Sequence, residues 1–472
     1  MRFFYFLLVC FSVLRGFSQK NSDIEKILNH PDLNSAIVGV SVKEVDSKKI
    51  IFEKNSHLQL VPASTFKLLT TLVALEKLGK DYRFKTEVYY SGSIKDSVLY
   101  GNLIVKGYGD PTIESRFFSA SALQKIVKSI KSKNIRKIEG KLFILNNYFQ
   151  PNWCGNWLYE DVNNYYAATP YPVNIYDNQF HLYLTTKEKG KYAAVVNIHP
   201  QYEFQPKIVV NDNEVVAKEG GDNAYIYGDP LGYEKRITGS IPPFQKEYSI
   251  EGVLPDPARM FADELMKRLN AENIIISANH YGILNEKESI DMTGATLLYT
   301  QYSPPLSEII YLTNLHSINL FAESMMYALG NGNYESGKKE VADYLVKSGI
   351  SSSEFNIDDA CGLSRLNGIS AHAMTELLIQ GYQSMNKDIF LKSFPVAGVS
   401  GTMKSFTDSP PLKDKLRCKT GYFQRVRSFA GYMQTQSGKT IAICVLYNNF
   451  NVSPAQIKNI TKNFFETLYQ NL

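Results

Sequence analysis

The sequence predicts an α+β fold in which helices cover a sheet and a long β-rich segment interrupts the covered part. Three observations carry this prediction. The chain ends as strand, hairpin and helix: Lys415–Gly421, then Ser428–Thr435 and Thr440–Asn448 across Gln436-Ser437-Gly438, then a helix after Ser453-Pro454. Near its start a hairpin pattern is followed by an apolar-faced helix. From near Tyr82 to residue 290, short β-like runs dominate.

Each element has a local cause. Alternation over Ala36–Lys43 and Lys49–Lys54, around Asp46-Ser47, predicts the first hairpin. After Pro62 the period changes: Leu68, Leu69, Leu72, Val73, Leu75 and Leu78 form a wide apolar helix face that Gly79 stops. Val98–Val105, Lys141–Leu145 and Gln179–His199 read as strands. A helix over Ala258–Leu269 has Asp256 as its cap and Pro257 at its first position, and a β-like stretch, Ile274–Ser277, follows. Helical periodicity returns at Leu306–Leu329 and Lys338–Ser348. In the last helix Ile457, Ile460, Phe464, Leu468 and Leu472 share one face.

A chain of 472 residues is long enough for two or three domains with cores of their own. Residues 1–18 read as an export signal, with Arg2 ahead of an apolar run, Phe3–Leu14, that is too short to span a bilayer, and with Phe17-Ser18-Gln19 as the cleavage region. Cys10 lies inside that run rather than after it, which argues against a lipid anchor. No later segment reads as a membrane span, so secretion across the inner membrane into the periplasm is expected. Loss of Arg2 and Arg15 lowers the formal charge from +5 to +3, which gives no electrostatic case for nucleic acid. Cys154, Cys361, Cys418 and Cys444 are too sparse for a disulfide framework, and Cys418 and Cys444 in strand-like runs are expected as buried thiols. The seven histidines show no metal-binding spacing, so no metal or other cofactor is expected.

Three short motifs carry the chemistry: Ser64-Thr65-Phe66-Lys67, Ser317-Ile318-Asn319 and Lys419-Thr420-Gly421. They supply a nucleophile, a base, a second hydroxyl with an amide, and a cationic anchor, which is what serine acyl transfer needs in the absence of a histidine triad. Singly, each reads as a helix cap or a strand end. Ser-x-x-Lys recurs at Ser336–Lys339 and Ser384–Lys387, and Ser-x-Asn at Ser277–Asn279. At a helix start, the Ser64 hydroxyl faces free N–H groups that can stabilise an oxyanion. Lys67, three residues on, shares its face and can act as base once enclosed. Ser317 would relay a proton to the leaving amine, and Asn319 would donate to the substrate amide or orient Lys67. Lys419 and Thr420 would hold a carboxylate, and Gly421 would allow substrate backbone close to the strand.

The flanking residues resemble the penicillin-binding proteins that act as D-alanyl-D-alanine carboxypeptidases and endopeptidases, in their DacB-like branch. The resemblance spans nearly the whole mature chain. It rests on Pro62-Ala63-Ser64-Thr65-Phe66-Lys67, on Gly101-Asn102-Leu103 with Gly109-Asp110-Pro111-Thr112, and on Asn319-Leu320-Phe321-Ala322-Glu323. It rests also on Cys361-Gly362-Leu363-Ser364-Arg365, on Phe394-Pro395-Val396-Ala397-Gly398-Val399 with Gly401-Thr402, and on Lys419-Thr420-Gly421 followed by Phe429-Ala430-Gly431-Tyr432. The resemblance implies a transpeptidase core of the penicillin-binding-protein and β-lactamase type, an antiparallel sheet flanked by helices, with the site at one sheet edge. Residues 20–83 plus 291–472 would form that catalytic domain. Residues 84–174 plus 253–290 would form an inserted β-rich domain, with 175–252 nested inside it. The implied substrates are peptidoglycan stem peptides, with β-lactam antibiotics as acylating mimics.

Departures from the family pattern bear on this reading. Tyr422 follows Lys-Thr-Gly where the family usually has Thr or Ser, so a carboxylate-binding hydroxyl is missing, although the Tyr422 N–H can still pair with that of Ser64 as an oxyanion hole. Asp359-Ala360-Cys361-Gly362 replaces a more usual Asp-Gly-Ser-Gly, and Ile318 replaces a commoner polar residue. A degenerate binding protein with little turnover, and a β-lactamase on the same scaffold, stay open as alternatives.

Overall fold

The computed structural model describes residues 22–152, 155–201, 207–208, 215–218, 223–278, 280–285, 288–408 and 410–472. The expected export signal, 1–18, and Cys154 lie outside them. The chain forms two compact units. The first contains the described residues up to Lys80, Ser307–Ile318 and Lys338–Leu472; the second contains Asp81–Leu306 and Asn319–Gly337.

The first unit is built on a five-stranded antiparallel sheet. Its strands are β1 (Ile37–Glu44), β2 (Ile50–Lys54), β3 (Leu416–Phe423), β4 (Val426–Gln434) and β5 (Thr440–Asn448), in the order β2-β1-β5-β4-β3. The two ends of the chain therefore meet at the sheet centre, with Ile37 opposite Asn448 and Glu44 opposite Ile441. Strand β5 is buried along Ile441–Asn448 because helices cover both faces. Its Ile441, Ile443, Val445 and Tyr447 point into a core shared with Ile457, Phe464 and Leu468 of the last helix, Pro454–Asn471. Ser453 and Gln456 close the first turn of that helix with a reciprocal capping box. On the other face the buried Ser41 and Thr375 hydroxyls lie 2.9 Å apart and join β1 to the helix Ala371–Gln383.

The interrupting segment is β-rich and holds two hydrophobic cores. One lies between helices Ala122–Ser132 and Pro257–Ala271 and a five-stranded sheet formed by Tyr281–Leu284, Leu142–Leu145, Leu103–Gly107, Lys85–Tyr90 and Thr296–Tyr302. Asp256 caps the second helix by accepting from the Arg259 N–H at 3.0 Å, with Pro257 in the first turn. The other core gathers Phe180, Leu182, Leu184, Ile226, Ile237, Ile241 and Ile250.

Two local expectations change and one is met. Ser64 lies in a 3-10 turn, Ala63–Phe66, and the α-helix begins at Lys67. The periodic stretch 306–329 divides into Leu306–His316 and Asn319–Leu329 where Ser317 takes a left-handed conformation (φ 62°), so that the Ser317-Ile318-Asn319 motif opens the second helix, as its capping pattern predicts. Lys419-Thr420-Gly421 lies inside β3 rather than at its end, since pairing with β4 continues through Tyr422 opposite Arg427 and Phe423 opposite Val426. Among the described residues, Cys361, Cys418 and Cys444 are buried, and no helix is long and apolar enough to cross a membrane. Burial pushes the Cys418 and Cys444 thiols up, which keeps them in the protonated, unreactive form.

Candidate active site

The turn that carries Ser64 is held in a costly shape by its neighbours. Ala63 adopts a left-handed conformation (φ 48°), which costs a non-glycine residue about 1–3 kcal/mol. Two glycines leave room for it. A Cβ on Gly362 would meet the Ala63 carbonyl oxygen at 2.1 Å; one on Gly421 would meet the Pro62 oxygen at 2.6 Å and the Ala63 Cβ at 2.9 Å. The Ser428 and Thr65 hydroxyls both donate to the Pro62 oxygen, at 2.5 and 2.8 Å. The close approach at Gly421 is thus to the protein's own nucleophile turn, and it docks β3 beside Ser64.

Lys67 is completely buried. Its Nζ donates to Ser64 Oγ at 3.0 Å and to the Cys361 carbonyl at 2.7 Å. The carbonyl is fixed by the loop that follows Asp359. The buried Asp359 carboxylate accepts from the N–H groups of Gly362 (2.6 Å) and Ser364 (2.5 Å) and from Asn367 Nδ2 (2.6 Å), while Thr70 Oγ1 donates to the Ala360 oxygen at 2.7 Å. Because the main chain of Cys361 makes the contact, its departure from the family pattern leaves the contact intact. A free-standing Ser-x-x-Lys reads as a cap and a surface lysine; here the lysine is interior. Of the other copies, Lys339 is exposed and pairs with Asp343.

A second lysine–serine pair stands beside the first. Lys419 is also completely buried, and its Nζ donates to Ser317 Oγ at 2.8 Å and to the Thr420 carbonyl at 2.7 Å. The left-handed Ser317 ends the helix Leu306–His316 so that its hydroxyl reaches β3. Asn314, one turn earlier and wholly buried, donates to Thr71 Oγ1 at 3.1 Å and to Ser393 Oγ at 2.9 Å, which fixes that helix on the nucleophile helix. Sequence reasoning missed Asn314; a polar residue in an otherwise apolar helical stretch was its only signal. Thr420 Oγ1 donates to Thr402 Oγ1 at 3.0 Å. Asn319 opens the next helix, in the second unit, where its Nδ2 donates to the Tyr166 carbonyl at 2.6 Å.

Burial, then the charges of Lys67 and Arg427, hold the Lys419 ammonium well below the usual lysine range. Arg427 is a further residue that sequence reasoning did not single out. It sits opposite Tyr422, with its guanidinium 5.6 Å from that ring's centre and 5.0 Å from that of Phe429. Three basic side chains, Lys67, Lys419 and Arg427, therefore lie near one another, a setting that favours an anionic group.

The edge of β3 also offers backbone. Cys418 N–H donates outward to the Pro395 carbonyl at 3.0 Å, and Ala397 N–H donates to the Leu416 carbonyl at 2.9 Å. The two-residue period of a strand places the N–H groups of Thr420 and Tyr422 on that same outer side.

The sequence pattern of the D-Ala-D-Ala carboxypeptidase 3 (S13) family matches residues 20–470. The chain belongs to that family. It is accordingly a hydrolase of the D-Ala-D-Ala carboxypeptidase class. The chain is similar to the D-alanyl-D-alanine carboxypeptidase DacB of Haemophilus influenzae, with 24% identity over 452 residues that cover 92% of this chain and 91% of the relative. It is similar also to a D-alanyl-D-alanine carboxypeptidase of an Actinomadura species, at 25% identity over 93% of this chain and 82% of that one. The crystal structure of penicillin binding protein 4 (dacB) from Haemophilus influenzae superimposes with a TM-score of 0.79 over 95% of this chain and 99% of that one, at 24% identity. The expected α+β fold of the penicillin-binding-protein type is therefore the one observed. A second structure of that Haemophilus protein is a complex with a novel β-lactam.

Proposed function

We propose that the protein is a secreted, periplasmic serine D-Ala-D-Ala carboxypeptidase and endopeptidase that acts on peptidoglycan stem peptides through an acyl-enzyme on Ser64. The observation that carries this reading is the buried Lys67 amine, 3.0 Å from Ser64 Oγ. Low dielectric favours the neutral amine, the form that can take the hydroxyl proton.

Ser64 Oγ attacks the carbonyl carbon of the penultimate D-Ala as Lys67 accepts its proton. The N–H groups of Ser64 and Tyr422 receive the oxyanion. As the C–N bond breaks, Ser317 passes a proton to the departing amine and takes in its place the proton that Lys67 accepted from Ser64, so that Lys67 is again neutral. Water then hydrolyses the ester and restores Ser64. Lys419 and Thr420 hold the terminal carboxylate, and Asn319 donates to the substrate amide. Arg427 adds positive charge where the family's usual hydroxyl is replaced by Tyr422. A β-lactam would acylate Ser64 in the same way. The two inserted segments, 84–174 plus 253–290 and 175–252, would place a large cell-wall substrate; their separate cores support such a division. Export rests on Arg2 and the apolar run after it.

Tyr422 favours a second reading, a cell-wall peptide or β-lactam binder with little turnover. One experiment separates the two. Intact-mass measurement after benzylpenicillin should show a covalent adduct that Ser64→Ala lacks, and a pentapeptide stem should release D-Ala. An adduct without D-Ala release would select the binder. Rapid nitrocefin turnover without a lasting adduct would select a β-lactamase, and no adduct at all would remove the acyl-enzyme reading.

A further inference from the structure

His57, Glu354 and His372 are far apart in sequence and meet on the first unit. His57 Nδ1 lies 3.2 Å from Glu354 Oε1, and His372 Nδ1 lies 3.0 Å from Glu354 Oε2. One ligand atom from each of the three residues lies within 4.8 Å of the others. The imidazole rings face each other at 4.3 Å, tilted by 34°. We propose that these three side chains bind a divalent transition metal of the Zn2+ kind.

The donor set and the spacing both fit. Two imidazoles and one carboxylate suit Zn2+, which binds such atoms at about 2.0–2.1 Å in tetrahedral geometry. The edge of that tetrahedron is roughly 3.3 Å, close to the 3.0 Å between His372 Nδ1 and Glu354 Oε2, which form one edge; His57 Nδ1 meets the other carboxylate oxygen, Oε1, at 3.2 Å. The third ligand would come from rotation of His57, whose side chain is 63% exposed, onto the same ion. One outer partner is already in place: the Ser370 hydroxyl donates to Glu354 Oε2. Glu376 Oε1 stands 4.0 Å from His372 Nε2, beyond a hydrogen bond. Lys43 holds Glu376 in turn, at 2.6 Å. The exposure of His57 leaves an entry path and a fourth position for water.

The site braces the nucleophile. His57 lies on the segment that runs through Leu60 into Ser64. Glu354 and His372 flank the loop whose Cys361 carbonyl holds Lys67. The two segments are already joined by the reciprocal bonds of Leu60 and Ile369, both at 3.1 Å, and by the His372 N–H donating to the Ser56 carbonyl at 2.8 Å. A metal would add a cross-link between the carriers of both Lys67 partners, making His57, Glu354 and His372 positioning residues.

The test uses the full chain after chelator treatment, titrated with ZnCl2 by calorimetry and with CoCl2 by absorption. Wild type should bind one equivalent of Zn2+ and give the intense visible bands of four-coordinate Co2+. His372→Ala and His57→Asn should each weaken Zn2+ binding by more than about tenfold, a loss typical of outer partners alone. His57→Asn is exposed and safeguards the test if His372→Ala misfolds. Equal binding by wild type and His57→Asn, or no binding by wild type, overturns the site. Hydrogen exchange over 56–62 and 359–364 should slow on Zn2+ addition in wild type only; unchanged exchange with bound metal overturns the bracing role. Neither readout depends on the proposed peptidase activity.

Discussion

The two lysine–serine pairs of the first unit are near copies in chemistry and opposites in construction. In each, a fully buried lysine amine donates to one serine hydroxyl and one main-chain carbonyl: Lys67 to Ser64 and Cys361, Lys419 to Ser317 and Thr420. The first pair lies within one helical turn. The second spans 102 residues and joins a helix end to a sheet edge. Lys67 points at Ser64, from which the proposed mechanism has it take a proton, whereas Lys419 has Arg427 as a neighbouring charge and in that mechanism holds an anion. Under the proposed function similar bonding would serve different roles, with position relative to the strained Ala63 turn setting the two lysines apart.

That division can be attacked directly. The largest effect is expected at the local pair: Lys67→Met, which keeps the volume, should slow acylation by benzylpenicillin by roughly 10⁴-fold or more, as for loss of a member of a catalytic unit. Ser317→Ala should cost less, about 10²–10⁴-fold in D-Ala release, the range for a lost proton-transfer group, and should slow acylation by a β-lactam less than D-Ala release. Equal losses in the two variants, by stopped-flow acylation, would break the distinction between the pairs.

Gly421→Ala tests the packing that brings the pairs together. Its Cβ would press on the Pro62 and Ala63 main chain, so a destabilisation of about 1–3 kcal/mol is expected in thermal or urea unfolding. Arg427→Ala should raise KM for a D-Ala-terminated peptide about tenfold, equivalent to about 1.4 kcal/mol, with kcat nearly kept. It also has a signed pH consequence. The Arg427 charge depresses the Lys419 pKa, so its removal raises that pKa. Lys419 then keeps its proton to higher pH, and the alkaline fall of kcat/KM should move up relative to wild type. A limb that stays in place would separate Lys419 from carboxylate binding. Tyr422→Thr should give the smallest change, a few-fold lower KM through a restored hydroxyl of the sort worth about 0.5–1.5 kcal/mol.

Much of the architecture could be read from local pattern. The terminal strand–hairpin–helix, the early hairpin, Gly79 at the end of the nucleophile helix and Asp256-Pro257 at the start of another all rest on neighbours in sequence. The helix start at Ser317-Ile318-Asn319 could also be read, as a capping pattern, but the left-handed conformation of Ser317 could not, because it is imposed by contacts elsewhere. The position of Lys419-Thr420-Gly421 within β3 was likewise hidden, since Gly421 resembles a turn glycine until Pro62 and Ala63 are seen against it.

By itself the sequence determined the Ser64–Lys67 pairing, because three residues along a helical turn always bring two side chains to one face. It also determined the family, through six motif blocks in fixed order. Only the tertiary structure decided that Lys67 is interior, that Cys361 offers it a carbonyl, that Lys419 reaches Ser317, that Arg427 accompanies Tyr422, and that His57 and His372 share Glu354. Each of these contacts depends on which surfaces the sheet and its helices bury against one another, and long-range packing leaves no periodic trace in the chain.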